Sequence, residues 1–320
     1  MTTPSSVKPA ESVKPAELAA ALRGAGLADV DTSARRRAEY SSDASNYRVV
    51  PLVVAYPRHA GEIVAALSAC QELGVPLVPR GGGTSIAGNS IGTGLVLDTS
   101  RHMNKVVSVD PEARSAVVEP GTVLDDVTRA ASRHGLRFGP DPSTHSRCTI
   151  GGAIGNNACG ARALRYGRAA DNVLALDVIT GTGTRLVASS PSHSSASHSP
   201  ASATQPAQSD IPEISGLSRL VDGNLETIRT EFGRFTRQVS GYSMEHLLPE
   251  NGRDLARFLA GTEGTLALTL QATIRLVEAP QATALAVLGY PDIAAAAEAV
   301  PGLLPHQPVA LEGLDSRLAD

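Results

Sequence analysis

Between Val78 and Ser90 the chain reads Val-Pro-Arg-Gly-Gly-Gly-Thr-Ser-Ile-Ala-Gly-Asn-Ser. A short apolar run, Val75 to Val78, precedes it and reads as a strand. Three successive glycines strip every Cβ from the exit of that strand. Backbone N–H groups can converge on an anion there, and φ > 0 carries no steric cost. Thr84 and Ser85 add hydroxyl donors, and Arg80 adds a positive charge. Residues of these types suit a pyrophosphate held by main chain.

Two nucleotide motifs come close without fitting. A dinucleotide-binding G-x-G-x-x-G needs a third glycine at position 86, which is Ile86. Gly83 to Ser90 matches G-x-x-x-x-G-K-[ST] except that Asn89 stands where the lysine belongs. That lysine carries the charge on the β- and γ-phosphates, and Ile91-Gly92-Thr93-Gly94 will not open the helix such a loop needs. An NTP-binding protein using residues 83–90 is therefore a weaker alternative, and a tight turn without a ligand is the plainest one.

Two further stretches are too rich in small residues to be core. The first is Gly139-Pro140-Asp141-Pro142-Ser143-Thr144-His145-Ser146-Arg147-Cys148-Thr149-Ile150-Gly151-Gly152-Ala153-Ile154-Gly155-Asn156-Asn157-Ala158-Cys159-Gly160. The second is Gly261-Thr262-Glu263-Gly264-Thr265. His145 and Arg147 read as polar loop residues before they read as substrate contacts. Asp43 and Ser45 suit a turn as well as they suit a site.

The elements that must position these stretches follow from periodicity. Helices are predicted over 16–25, 58–73, 122–134, 216–231, 254–259 and 293–304. Gly74 is expected to end the second, and Thr122 to cap the third with Asp125 as its acid. Strands are predicted over 49–56, 75–79, 94–99, 105–109, 115–119, 172–181, 184–188, 266–277 and 284–289. Residues 6–17 repeat Ser-Val-Lys-Pro-Ala-Glu and read as a disordered tail. Residues 189–209 are nearly all Ser, Ala, Pro, His, Thr and Gln, which reads as a flexible insertion. His193 and His198 lie within it, with no Cys, Asp or Glu beside them, so no metal is expected.

Composition removes other classes. Of 320 residues 42% are hydrophobic, enough for a large core or two domains. A net charge of −4, 3% aromatics and no Trp give nucleic acid little to bind. No apolar run reaches membrane-spanning length, and the polar N-terminus lacks a signal-peptide core. Cys70, Cys148 and Cys159 have no metal spacing and are expected as reduced thiols in the cytoplasm.

Together the three stretches resemble one family. Pro79-Arg80-Gly81-Gly82-Gly83-Thr84-Ser85 with Gly88-Asn89 resembles the pyrophosphate loop of the vanillyl-alcohol-oxidase and p-cresol-methylhydroxylase type of FAD proteins. Pro140-Asp141-Pro142-Ser143, Cys148 to Gly152 and Gly155 to Gly160 are similar to that family's other flavin segment. Gly261-Thr262-Glu263-Gly264-Thr265-Leu266 is similar to its late G-S-E-G-T-L turn. The likeness covers about residues 40–280 and leans to the D-lactate, glycolate and D-2-hydroxyglutarate dehydrogenases. Gly241-Tyr242-Ser243 with Leu247-Leu248-Pro249-Glu250-Asn251-Gly252 resembles the large members that carry an iron–sulfur module after the flavin part.

The resemblance implies an α+β fold with a two-lobed FAD-binding domain. A disordered tail and short helix (1–39) would precede a small βαβ lobe (40–110). A larger α+β lobe with a mixed or antiparallel sheet (111–280) would carry the insertion at 189–210. Residues 281–320 would begin a truncated cap. FAD would be held non-covalently, since the loop offers no histidine. Its expected contacts are Pro79, Arg80, Gly81, Gly82, Gly83, Thr84, Ser85, Gly88, Asn89, Pro140, Asp141, Ser143, Thr149, Gly151, Gly152, Asn156, Ala158, Gly160, Glu263 and Gly264. The implied activity is oxidation of a D-2-hydroxy acid by hydride transfer to flavin N5. Electrons would pass to an iron–sulfur module, a quinone or a cytochrome, in the cytoplasm or at the inner face of the membrane. No residue is assigned as catalytic base, and a non-catalytic FAD-binding fragment is the alternative.

Overall fold

The strand that feeds the glycine loop lies at the edge of a four-stranded sheet. The computed structural model describes residues 13–191, 211–235 and 239–318. In the first sheet β1 (Val30–Asp31), β2 (Val53–Ala55), β4 (Leu95–Asp98) and β3 (Leu77–Arg80) lie in that order. β4 pairs parallel with both β2 and β3, while β1 runs antiparallel to β2. Every residue of β2 and β4 is buried, which is why each reads as a short continuous apolar run. Between β2 and β3 runs α3 (Ala60–Leu73). Its buried Ile63, Ala66, Leu67 and Cys70 share one face. Gly74 ends it at φ 63°, a left-handed cap that favours glycine.

The N-terminal segment holds the short helix expected within 1–39 and adds a strand and a second helix to it. Residues 1–12 lie outside the described residues, but 13–30 are packed. α1 (Pro15–Gly24) turns Leu18, Ala19 and Leu22 inward, and they join Leu27, β2 and α3 in one core. β1 and α2 (Ala34–Glu39) follow. Burial of that leucine stripe ties the segment down, at about 1.5–3 kcal/mol for each side chain.

The second sheet is antiparallel, in the order β5 (Val106–Asp110), β6 (Ser115–Val118), β10 (Ala267–Glu278), β8 (Val173–Thr180), β9 (Arg185–Ser189). β7 (Leu136–Phe138) pairs with the far end of β10. β5 therefore belongs to this sheet, although the sequence placed residues 105–109 in the first lobe. β10 alternates buried and half-buried positions along its length. Its Leu268 and Leu270 enter the core of the first sheet, and its Ala272, Ile274 and Leu276 enter the second core. One strand thus ties the two lobes together.

Around the second sheet lie α4 (Leu124–Ser132), α5 (Ile150–Gly155), α6 (Ala163–Tyr166), α7 (Pro212–Asp222), α8 (Leu225–Glu231) and α9 (Leu255–Leu259). Thr122 does not cap α4. Its hydroxyl donates to the Lys105 carbonyl at 3.0 Å, which anchors the turn to β5 instead. The single helix expected over 216–231 is two, broken at Gly223-Asn224, where the Asn224 amide bonds the Leu220 carbonyl at 2.8 Å. Residues 192–210, which hold His193 and His198, lie outside the described residues. α10 (Ile293–Leu303) opens with Asp292 accepting the Ala295 N–H. The strand expected at 284–289 does not form, and among the described residues no strand lies alongside to complete its ladder. Among the described residues no helix is long and apolar enough to cross a membrane, and no cluster of His, Cys, Asp and Glu could hold a metal.

Candidate functional site

The three small-residue stretches converge on one cavity of about 680 Å³. That is the size of a small-molecule or cofactor site, for which about 300–1,000 Å³ is usual. Both sheets wall it: Arg80 and Leu97 from the first, Leu176, Val178 and Thr269 from the second. Of the residues expected from sequence, all but Gly88 and Pro140 line it. Gly88 lies behind, at φ 82°, with its Cα against the Tyr47 ring.

The glycines are required by packing between the stretches. A Cβ on Gly81 would overlap Thr149 Oγ1, and one on Gly82 would overlap the Arg147 carbonyl oxygen. A Cβ on Gly264 would come within 2.5 Å of Pro79 Cγ, at a φ of 74° that itself favours glycine. So the first stretch presses on both others. From the sequence these missing side chains read as room for a ligand or for a turn; the seams between the walls need them as well.

The backbone of the loop faces the cavity with its donors unclaimed. Among the described residues, no protein acceptor takes the N–H of Gly82, Gly83, Thr84 or Ser85. A run of free amides at a strand exit is an anion cradle. The polar side chains nearby are otherwise engaged. Ser85 Oγ accepts from the N–H of Ala87 and of Asn89, both at 3.3 Å, and so holds the loop's own turn. The Asn89 amide donates to the Glu263 carboxylate, linking the first stretch to the third. Glu263 sits at φ 55° and donates its N–H to the Gly155 carbonyl at 3.0 Å. Gly261 donates likewise to Ile154 at 2.8 Å. α5 and the third stretch are thereby fixed to each other.

Arg80, expected to lend its fixed positive charge to the anion, lines the cavity and is also engaged by the protein. Its guanidinium donates to the carbonyls of Ser42 at 3.0 Å and Ser90 at 3.3 Å, and lies 4.8 Å from the centre of the Tyr40 ring. Asp43 joins the same brace: one carboxylate oxygen accepts the Ser90 hydroxyl at 3.0 Å, the other the Ser45 N–H at 2.9 Å. Burial pushes the Asp43 carboxyl up, but these donors outweigh it and hold the group below its ordinary value.

The second stretch supplies a helix and a carboxylate. Thr149 caps α5 by accepting the Gly152 N–H at 3.2 Å, and Gly151 donates to the Pro120 carbonyl at 2.7 Å. Asp141 pairs with Arg162 at 2.9 Å, yet burial pushes its carboxyl above the ordinary value. Cys148 and Cys159 line the cavity, and burial pushes the Cys148 thiol up, which keeps it neutral. His145 is turned away from the cavity into a 2.7 Å pair with Asp125, and Arg147 contributes its carbonyl to the seam. Among the described residues no histidine lines the cavity.

Sequence reasoning missed the apolar walls Leu97, Leu176, Val178 and Leu268, and also Glu312, the lining residue from beyond β10. The strand walls had a signal: Leu176 and Val178 are two apart on one face of β8. Glu312 had none. The arrangement can hold an elongated ligand with an anionic centre against the amides and a flat apolar part against the strands.

Known proteins are similar to this chain in sequence and in fold. The FAD binding domain family matches residues 51–189. The D-2-hydroxyglutarate dehydrogenase of Pseudomonas putida is 32% identical over 308 residues, which cover 94% of this chain and 30% of that protein. The glycolate oxidase subunit GlcD of Bacillus subtilis is 32% identical over 299 residues, 92% of this chain and 52% of that protein. This chain thus spans between about a third and a half of these relatives. An alkyldihydroxyacetonephosphate synthase structure superposes with a TM-score of 0.58 at 17% identity, covering 86% of this chain and 44% of that one, a likeness of fold.

Proposed function

We propose that this chain is an FAD-binding protein of the p-cresol-methylhydroxylase type, the flavin module of a D-2-hydroxyacid dehydrogenase. The residues present fit the cofactor, FAD. Four free amides at Gly82 to Ser85 suit its diphosphate, and the apolar faces of Leu97, Leu176 and Val178 suit a flat ring system. The row of unclaimed amides where three glycine-rich stretches meet is the observation that carries the reading.

FAD supplies a hydride acceptor for the α-carbon of the substrate. This chain's own residues would hold and shield it: the loop amides would hydrogen-bond the diphosphate, and the strand walls would exclude water. Among the described residues no imidazole lines the cavity, so the groups that take the hydroxyl proton and bind the substrate carboxylate are proposed to come from a cap that begins after residue 280. The lobes are proposed to follow the two sheets, the first through β4 and the second from β5. The substrate is proposed to be of the 2-hydroxyglutarate, glycolate or lactate class, and the acceptor an iron–sulfur module, a quinone or a cytochrome. FAD is proposed to be non-covalently held. Cys70 and Cys148, buried and in no disulfide, fit a reducing location, in the cytoplasm or at the inner face of the membrane.

Anaerobic mixing with D-2-hydroxyglutarate, glycolate or D-lactate tests the reaction. Bleaching of the flavin absorbance by at least one of them is expected. FAD-loaded protein bleached by none of them would leave a non-catalytic FAD-binding fragment. An NTP-binding role is disfavoured, because Asn89 is engaged with Glu263 and the chain enters β4 after Ser90 without forming a helix.

A further inference from the structure

We infer that Tyr40 is a positioning residue of the cofactor site: anchored on Asp98, it holds the Arg80 guanidinium in the brace that sets the spacing of the loop amides. The inference rests on the FAD reading above. Tyr40 lies at the end of α2, upstream of the region that the FAD binding domain family matches. Its O–H donates to Asp98 Oδ2 at 2.5 Å. Its ring meets the Tyr56 ring edge-on, 5.9 Å between centres.

Asp98 is a firm anchor. It is buried at the end of β4, directly opposite Arg80 at the end of β3, and also accepts the N–H and hydroxyl of Ser100 at 2.7 and 2.6 Å. The guanidinium over the Tyr40 ring cannot turn toward a ligand without losing that contact and both carbonyls. It starts the loop at Arg80 and grips its end at the Ser90 carbonyl. A Cβ on Gly83 would come within 2.5 Å of Arg80 Nη2, so the cation fills the space beside the loop's middle. The loop's curvature, and with it the direction of four N–H groups, is set from residue 40. A preformed cradle binds its anion without first paying to order itself.

The test is the affinity of FAD-stripped protein for FAD, ADP and riboflavin, the last of which has no phosphate. Wild type, Tyr40→Phe and Tyr40→Leu are compared. Tyr40→Leu, which loses both ring and hydroxyl, is expected to bind FAD and ADP about tenfold more weakly with riboflavin unchanged. Tyr40→Phe keeps the fold and the ring, and is expected to lose about threefold on the same two ligands. Full retention of FAD and ADP affinity in both variants would overturn the inference. So would an equal loss for riboflavin, which would mark a general loss of structure. A wild-type protein that takes up no FAD would instead overturn the FAD reading, and this inference with it.

Discussion

Replacing Gly82 with alanine tests the seam between the first and second stretches. The added Cβ would overlap the Arg147 carbonyl oxygen and stand 3.0 Å from its carbon and 3.3 Å from Cys148 Cα, where ordinary contact begins at 3.4 Å. All three neighbours are main chain, so no rotamer change relieves the clash. Gly82 is not among the positive-φ glycines, so the penalty is steric and not conformational. The loop or the 147–148 backbone must retreat by roughly 1 Å, and overpacking of this kind costs about 1–3 kcal/mol. That cost falls on the loop that carries the amides. At about 1.4 kcal/mol per tenfold, FAD affinity should drop about 5- to 150-fold. Flavin fluorescence titration of FAD-stripped protein reads this directly, beside a thermal melt. Gly216→Ala is the control, since its nearest neighbour lies 4.0 Å away within α7. It should leave binding unchanged and gain stability, at most about 1 kcal/mol. Gly82→Ala binding FAD like wild type, with an unchanged melt, would refute the tight seam.

Acid should destabilise the fold through His246. Burial first, then the Arg257 charge, holds its pKa below 6.5, and its Nε2 has no hydrogen-bond partner. The unfolded chain takes up this proton below 6.5 and the folded chain does not, so stability falls as pH drops through 6.5. His246→Gln should flatten that limb of the melting curve; an unchanged pH dependence would contradict the assignment. Asp254 caps α9 by accepting the Arg257 N–H at 2.9 Å, and also accepts the buried Ser190 hydroxyl at 2.6 Å. Asp254→Ala should cost about 2 kcal/mol in urea unfolding, and a loss below about 0.5 kcal/mol would count against both bonds. Asn89→Ala and Glu263→Ala should each weaken FAD about threefold, and the double variant should be no weaker than either. Additive losses would show that the two residues act separately.

The site was legible because its chemistry lies in residue types. A run such as Gly81 to Gly83 can serve few purposes, and three such stretches in one chain identify one another. The parallel strands β2 and β4 were legible as short apolar runs, and α3 by its period. What escaped depends on distant partners. Arg80 reads only as a positive charge beside the loop until Tyr40 and the Ser42 carbonyl are brought beside it. Leu18 and Leu22 make too short a stripe to announce packing until α3 is there to receive them. Residues 284–289 have strand composition, but composition cannot supply the neighbouring strand that a ladder requires.

The most direct measurement is the FAD content of the purified protein. A yellow protein carrying FAD equimolar with chain, all of it released unmodified on denaturation, is the predicted result. A colourless protein that takes up no added FAD would contradict the account at its centre.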